Sequence, residues 1–242
     1  MGIETADQNE DRDVTASSER AAELLEVGLP GSVIDCLGDT IAASSLWRYA
    51  PGDTIYQADS EVEALYLVCS GRIKLLSFSR DGDARIVRLH NRGSILGLGG
   101  LLGETNDHMA VAIDEVSLYQ IPIGLIKTIS DRDNEAYCRL LEYLNEYLKA
   151  ADTWITDFST GGIRGRVARL LLYLMRHDDS TSQHDVTLLT VNEMAEVLGV
   201  TPESVSRAMA GFKRLEILLP FDGSSQHTFH CNFEALSGEA ES

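Results

Sequence analysis

The stretch Thr190–Leu215, TVNEMAEVLGVTPESVSRAMAGFKRL, constrains this chain more than any other. Its pattern predicts two short helices joined at Leu198-Gly199-Val200. Thr190, with Glu193 three residues on, forms an N-terminal capping box. Val191, Met194, Ala195 and Leu198 then share one helical face, and Gly199 supplies the C-terminal stop. Thr201 caps the second helix, and Pro202 takes its first position, where a missing N–H costs nothing. Val205, Ala208, Met209, Phe212 and Leu215 make the apolar face of that helix; Glu203, Ser206, Arg207 and Ala210 make the other. A carboxylate, a hydroxyl and a guanidinium near a helix N-terminus suit base edges in a major groove. An ordinary amphipathic hairpin with a solvated face carries the same pattern, so pattern alone leaves both readings open.

The rest of the chain falls into blocks around this pair. From Ser45 to Pro122, runs such as Ala64-Leu65-Tyr66-Leu67-Val68 and Arg85-Ile86-Val87-Arg88-Leu89 alternate with turn signals. The turns include Pro51-Gly52-Asp53, Ser70-Gly71 and Asp81-Gly82-Asp83, and such a series predicts a β-roll or jelly-roll barrel. Asp133 to Phe158 predicts one long helix. Its Leu141, Leu144, Leu148, Ala151, Ile155 and Phe158 recur at alternating spacings of three and four, the seam of a two-helix coiled coil. A long helix packed on its own barrel is the alternative, but a strict seven-residue repeat favours a symmetric partner.

Ser159–Gly162 reads as a hinge, and Gly165–Arg176 as an amphipathic helix bracing the helix pair through Val167, Leu170, Leu171 and Leu174. His177–Asp185 reads as a polar loop. Ile217-Leu218-Leu219, a turn at Asp222–Ser225 and the run His227–Phe233 read as a β-hairpin. The closing GEAES is expected to be loose, residues 1–20 disordered, and Glu19–Leu29 a short helix.

Composition narrows the function. A chain of 242 residues suits two modest domains, and no apolar run is long enough to cross a membrane. The acidic N-terminus does not read as a secretory signal. Cys36, Cys69, Cys138 and Cys231 are widely spaced without a CxxC pair, which points away from zinc and disulfides and towards a reducing cytoplasm. No G-x-S-x-G, P-loop or H-E-x-x-H appears, so an enzyme is not expected. The net charge of −18 opposes binding to a polyanion. Two basic groups, Arg164, Arg166 and Arg169, then Arg207, Lys213 and Arg214, are the candidates for a local positive strip with marked salt sensitivity.

The second helix carries E-x-x-S-R, here Glu203-Ser204-Val205-Ser206-Arg207, and with it the helix pair resembles that of the catabolite-activator/fumarate-nitrate-regulator (CRP/FNR) family of bacterial transcription factors. Ser206, with Pro202 rather than Arg before the Glu, makes it more similar to the fumarate–nitrate type. The LYLVCSGRIKLL, GSILG and SLYQIP segments resemble the family's effector domain, and the resemblance spans about residues 41–236. It implies an α+β chain in four segments. Residues 1–20 form a tail, 21–130 a cyclic-nucleotide-binding-like β-roll effector domain, 131–160 the dimerisation helix and hinge, and 161–242 a winged helix-turn-helix domain.

The implied partners are double-stranded DNA, a second copy of the chain and RNA polymerase. In the implied roles, Arg207 reads a guanine, Glu203 a cytosine or adenine amino group and Ser206 a thymine, in palindromic half-sites close to TTGA. Thr201, Lys213 and Arg214 hold backbone phosphates.

The same resemblance fixes what the barrel is not expected to bind. Leu98 stands where cyclic-nucleotide-binding members carry a Glu, and His108 and Met109 where they carry an Arg-Ser pair. A buried phosphate without Arg and beside Asp107 is poorly compensated, so cyclic AMP is not expected. The region of the iron–sulfur cysteines holds only Cys36, and such a cluster takes four thiolates. The ligand positions of carbon-monoxide-sensing haem members are Gly97 and Gly99 here. His90 and His108 remain as haem ligands of another geometry, so a haem-based nitric oxide or carbon monoxide sensor is the alternative. No cofactor is otherwise expected, and His90, Leu98, His108 and Met109 mark the candidate effector pocket.

Overall fold

Turn residues cut the described part of the N-terminal half into eight strands: β1 (Ser45–Tyr49), β2 (Thr54–Tyr56), β3 (Ala64–Ser70), β4 (Ile73–Phe78), β5 (Ala84–His90), β6 (Ile95–Leu96), β7 (Met109–Ala112) and β8 (Val116–Pro122). This computed structural model describes residues 44–125, 134–178, 185–220 and 228–241, with only the helix backbone over 134–141. The expectations for residues 1–43, for the Cys138 and Leu141 side chains, for most of the His177–Asp185 loop and for the turn Asp222–Ser225 lie outside the described residues.

The strands form two four-stranded sheets, in the orders β1-β8-β3-β6 and β2-β7-β4-β5, the double-sheet arrangement expected of a jelly roll. β3 runs antiparallel to both β8 and β6. Ala64 to Val68 are all buried, which explains the unbroken apolar run where a strand with one face in solvent would alternate. Leu65, Leu67, Ile95, Tyr119 and Ile121 form the core cluster beneath. Gly71 turns β3 into β4 at φ 80°, and a Cβ there would collide with the Glu115 carbonyl. Only glycine meets both demands at that turn. Arg72 beside it donates to both Asp114 carboxylate oxygens, at 2.5 and 2.9 Å, tying this turn to the one before β8.

Helix α1 (Asn134–Ser159) follows. Its Tyr143 hydroxyl accepts from the Ile95 backbone N–H at 2.8 Å and so fastens the first half of the helix to β6. By contacts, the described residues up to 75 and from 89 to 145 make one unit, while 76–88 and those from 146 onwards make another. The boundary thus runs through α1 itself.

The second unit is built on α2 (Ile163–Arg176), whose Val167, Leu170, Leu171 and Leu174 are all buried, as their spacing predicts. Then come β9 (Asp185–Thr187), α3 (Val191–Leu198), α4 (Pro202–Arg214), β10 (Leu218–Pro220), β11 (Thr228–Cys231) and α5 (Phe233–Ala240). β10 and β11 form the expected hairpin, and β9 pairs with β11 to make a three-stranded sheet. Together the two units give the expected α+β architecture, a β-roll, a long helix and a winged helix-turn-helix.

Three expectations are corrected here. A strand, β9, begins at the Asp185 end of the expected loop and is held by its partner β11 rather than by its own three residues. The end expected to be loose is α5, capped where the Ala235 N–H donates to Asn232 Oδ1 at 3.1 Å and anchored by fully buried Leu236. Leu215 is 58% exposed instead of buried, because α4 ends at Arg214 and the chain swings away through Glu216 at φ 56°.

Candidate nucleic-acid interface

The helix pair forms by the local chemistry that its residues announce. The Glu193 N–H donates to Thr190 Oγ1 at 3.2 Å, and the Thr190 N–H donates to Glu193 Oε2 at 3.0 Å, closing the capping box. Gly199 ends α3 at φ 59°, ψ 46°. Thr201 caps α4, accepting from the Ser204 N–H at 3.4 Å, with Pro202 at the first position. Val205, Ala208, Met209 and Phe212 are buried and lock one face of α4 into the core.

The opposite face is open. Glu203, Ser206, Arg207 and Ala210 are all exposed, with Thr201 at the N-terminal edge of the same surface. The Glu203 carboxyl is held below its ordinary pKa, first by hydrogen bonding to its own backbone N–H at the helix N-terminus, then by Thr201 and the nearby Arg207 charge. It therefore stays ionised and acts as an acceptor. Lys213 and Arg214 are exposed in the last turn, and the Lys213 ammonium lies 4.6 Å from the Phe229 ring centroid of the hairpin. The structure thus brings the six expected contact residues onto one helix and its cap.

The first basic group behaves differently, and this corrects the expected strip. Arg164 binds both Glu239 carboxylate oxygens, at 2.5 Å each, and lies over the Phe212 ring. Arg166 donates to the Phe158 carbonyl at 2.8 Å and to the Leu198 carbonyl. Arg169 donates to the carbonyls of Asp157, Thr160 and Ala240, at 2.7, 2.5 and 2.6 Å. The Arg166 and Arg169 guanidiniums satisfy C-terminal carbonyls of α1, α3 and α5, a demand every helix end makes. All three are engaged in knitting the domain together. The hint was in the sequence: IRGRVARLLLYLMR contains no acidic residue, so its arginines had to find acceptors elsewhere.

The α1 seam divides as well. Leu148 and Ile155 are 64% and 61% exposed, with Leu144 and Ala151 half-buried beside them. Phe158, expected to continue the seam, is instead 2% exposed. Its ring meets those of Trp154 and Tyr173 edge-on at 4.6 and 5.8 Å, so the aromatic cluster of the second unit takes it out of the seam.

The candidate effector residues are not drawn into one cluster. His90 ends β5 and is buried, and Met109 opens β7; both lie in one sheet with β4 between them. His108 is half-buried just before Met109. Leu98 follows β6 of the other sheet and packs on the Leu65–Tyr119 cluster. Around Leu98, a Cβ at Gly100 would lie 2.6 Å from Val62, and one at Gly99 would lie 3.3 Å from the Glu104 carboxylate. Among the described residues, no group of three or more His, Cys, Asp or Glu is placed to hold a metal ion. Cys231 is buried, and that burial, with Asp185 nearby, pushes its thiol up to about 12, so it is inert.

Comparison with known proteins agrees with this geometry. Residues 46–133 match the cyclic nucleotide-binding domain family, and residues 165–237 match the Crp-like helix-turn-helix domain family. The fumarate and nitrate reduction regulatory protein of Vibrio cholerae is 24% identical over 171 residues, 69% of this chain and 68% of the relative. The anaerobic regulatory protein of Aggregatibacter actinomycetemcomitans is 22% identical over 167 residues, 68% of this chain and 65% of the relative. Among solved structures, FixK2 from Bradyrhizobium japonicum superposes with a TM-score of 0.72 at 23% identity, covering 81% of this chain and 96% of that one. A CRP/FNR-family regulator from Thermus thermophilus, TTHA1359, gives 0.65 at 22% identity, over 82% and 99%. No described helix is long and apolar enough to cross a membrane. With both family models matched in order, and a capped helix pair that keeps its E-x-x-S-R face outward, the chain belongs to the CRP/FNR family of helix-turn-helix transcription regulators.

Proposed function

We propose that this chain is a homodimeric, sequence-specific regulator that reads a palindrome with TTGA-like half-sites through Glu203, Ser206 and Arg207. The observation carrying this reading is the exposure of all three on a helix whose other face is locked in the core. Arg207 donates bidentately to guanine O6 and N7, Glu203 accepts from a cytosine or adenine amino group, and Ser206 meets a thymine. Thr201, Lys213 and Arg214 contact phosphates, which position the protein without reading sequence. The exposed Leu148 and Ile155 face of α1 supports pairing with a second copy, which sets two α4 helices about 34 Å apart in successive major grooves.

The donor set around Leu98, His108 and Met109 supports control by a signal other than a cyclic nucleotide. RNA polymerase is the partner such a DNA-bound regulator would act upon.

The test is DNA binding by the full chain to a TTGA palindrome, to a single half-site and to random duplex at one salt concentration. Arg207→Ala is expected to weaken palindrome binding by ~1–3 kcal/mol and to relax selectivity at one base pair per half-site. An equal loss on palindrome and random DNA overturns base reading. Equal affinity for palindrome and single half-site overturns the dimer.

A further inference from the structure

The segment 76–88, comprising the end of β4, the turn after it and most of β5, clusters with the second unit. Its residues Ser77, Phe78, Ser79, Asp83, Arg85 and Val87 face Asn192 and Glu196 of α3 and Thr201 and Pro202 of α4 across a cleft of about 810 Å³. Within that lining, the Arg85 guanidinium lies on Gly199, the first residue between the two helices. A Cβ at 199 would collide with Arg85 Nη1. Glycine at this position therefore does two things: it adopts the left-handed φ that ends α3, and it leaves room for a guanidinium from the hairpin.

The neighbouring carbonyl, Leu198, is already bound by Arg166, which also binds the Phe158 carbonyl at the end of α1. Two like charges thus meet at one helix end. Burial, and then Arg85 and Arg169, depress the Arg166 pKa. Arg85 itself is exposed, so little burial offsets its approach to Arg166. Three residues along the same strand, the Arg88 guanidinium lies 3.9 Å from the Tyr147 ring centroid of α1. The hairpin therefore touches both the long helix and the turn of the DNA-reading pair.

We propose that the β4–β5 hairpin is a latch on the helix-turn-helix: Arg85 seated on Gly199 holds α3 and α4 against the hairpin, and α4 docks on DNA only after Arg85 leaves. The proposal rests on α4 being the DNA-reading helix. A contact made in only one arrangement stabilises that arrangement and opposes the other by the same free energy. Movement of α1 at Tyr147 is the natural release, since Arg88 ties the hairpin to it.

The experiment uses the full-length chain and its Arg85→Ala variant. Fluorescence anisotropy is measured on a labelled TTGA palindrome and on random duplex across a salt series, and hydrogen exchange is followed at the amides of residues 198–201 without DNA. The latch predicts binding tighter by about fivefold or more on both duplexes, an unchanged ratio between them, and faster exchange at the turn. Unchanged affinity together with unchanged exchange overturns it. Weaker binding with a salt slope reduced by about one makes Arg85 a phosphate ligand and also overturns it. A fall in both melting temperature and affinity makes Arg85 a structural tie and overturns the latch likewise. Exchange at the turn is read without DNA, so it tests the latch even if the assignment of α4 fails, and that failure shows separately as loss of Arg207-dependent selectivity in the parent chain.

Discussion

Two sets of three basic residues, on α2 and α4, meet opposite fates in the same domain. Arg164, Arg166 and Arg169 of α2 turn inward onto a carboxylate and five backbone carbonyls. Arg207, Lys213 and Arg214 of α4 stay exposed. Charge counting treats them alike, but their surroundings do not. α2 runs through the middle of the unit, where the ends of three other helices bring unsatisfied carbonyls to it. α4 presents its charged face to solvent, and no described helix ends against it. A basic residue becomes structural or ligand-binding according to which acceptors the fold delivers.

The contrast is broken most severely at Arg166. Arg166→Ala leaves the Phe158 and Leu198 carbonyls without their charged donor and is expected to destabilise the second unit by roughly 2–3 kcal/mol in urea unfolding. A variant as stable as the parent would show that the inward arginines are incidental.

Glu239→Gln is a milder probe of the same set. Arg164 and Glu239 are 41% and 21% exposed, so solvent screens the pair and the expected loss is about 0.5–1 kcal/mol. Hydrogen bonding to Arg164 depresses the Glu239 pKa. A depressed carboxylate stabilises fully above its unfolded value of about 4.3, and that contribution is lost as pH falls through the folded value. The gap between parent and variant should therefore be present at pH 7 and close in acid below about pH 4.3. A gap independent of pH would mean that packing, not charge, holds α5.

Arg214→Ala should change stability by less than about 0.5 kcal/mol, as expected for an exposed site. Its effect should be a uniform loss on all duplexes with the salt slope reduced by about one. A stability loss equal to that at Arg166 would erase the distinction between the two helices.

Much of this was legible from local pattern. The caps at Thr190 and Thr201, the stop at Gly199 and the buried faces of α2 and α4 depend on residues within a few positions of one another. The apolar run of β3 announced a strand, and its burial on both sides came only with the fold. The departures share another character. β9 exists because β11 pairs with it, α5 because α2 holds Glu239 and Ala240, and Phe158 leaves the seam because Tyr173 receives it. None of these partners lies within a helical turn of the residue concerned.

The sequence by itself determined the helix pair, its capped ends and the polar face of α4, because periodicity and capping act over three or four residues. Tertiary structure alone decided which arginines remain exposed, where the α1 seam stops, and that a hairpin from the β-roll reaches Gly199. Those outcomes depend on helix ends and rings brought together from distant parts of the chain, where hydrogen-bond satisfaction, rather than propensity, selects the partner.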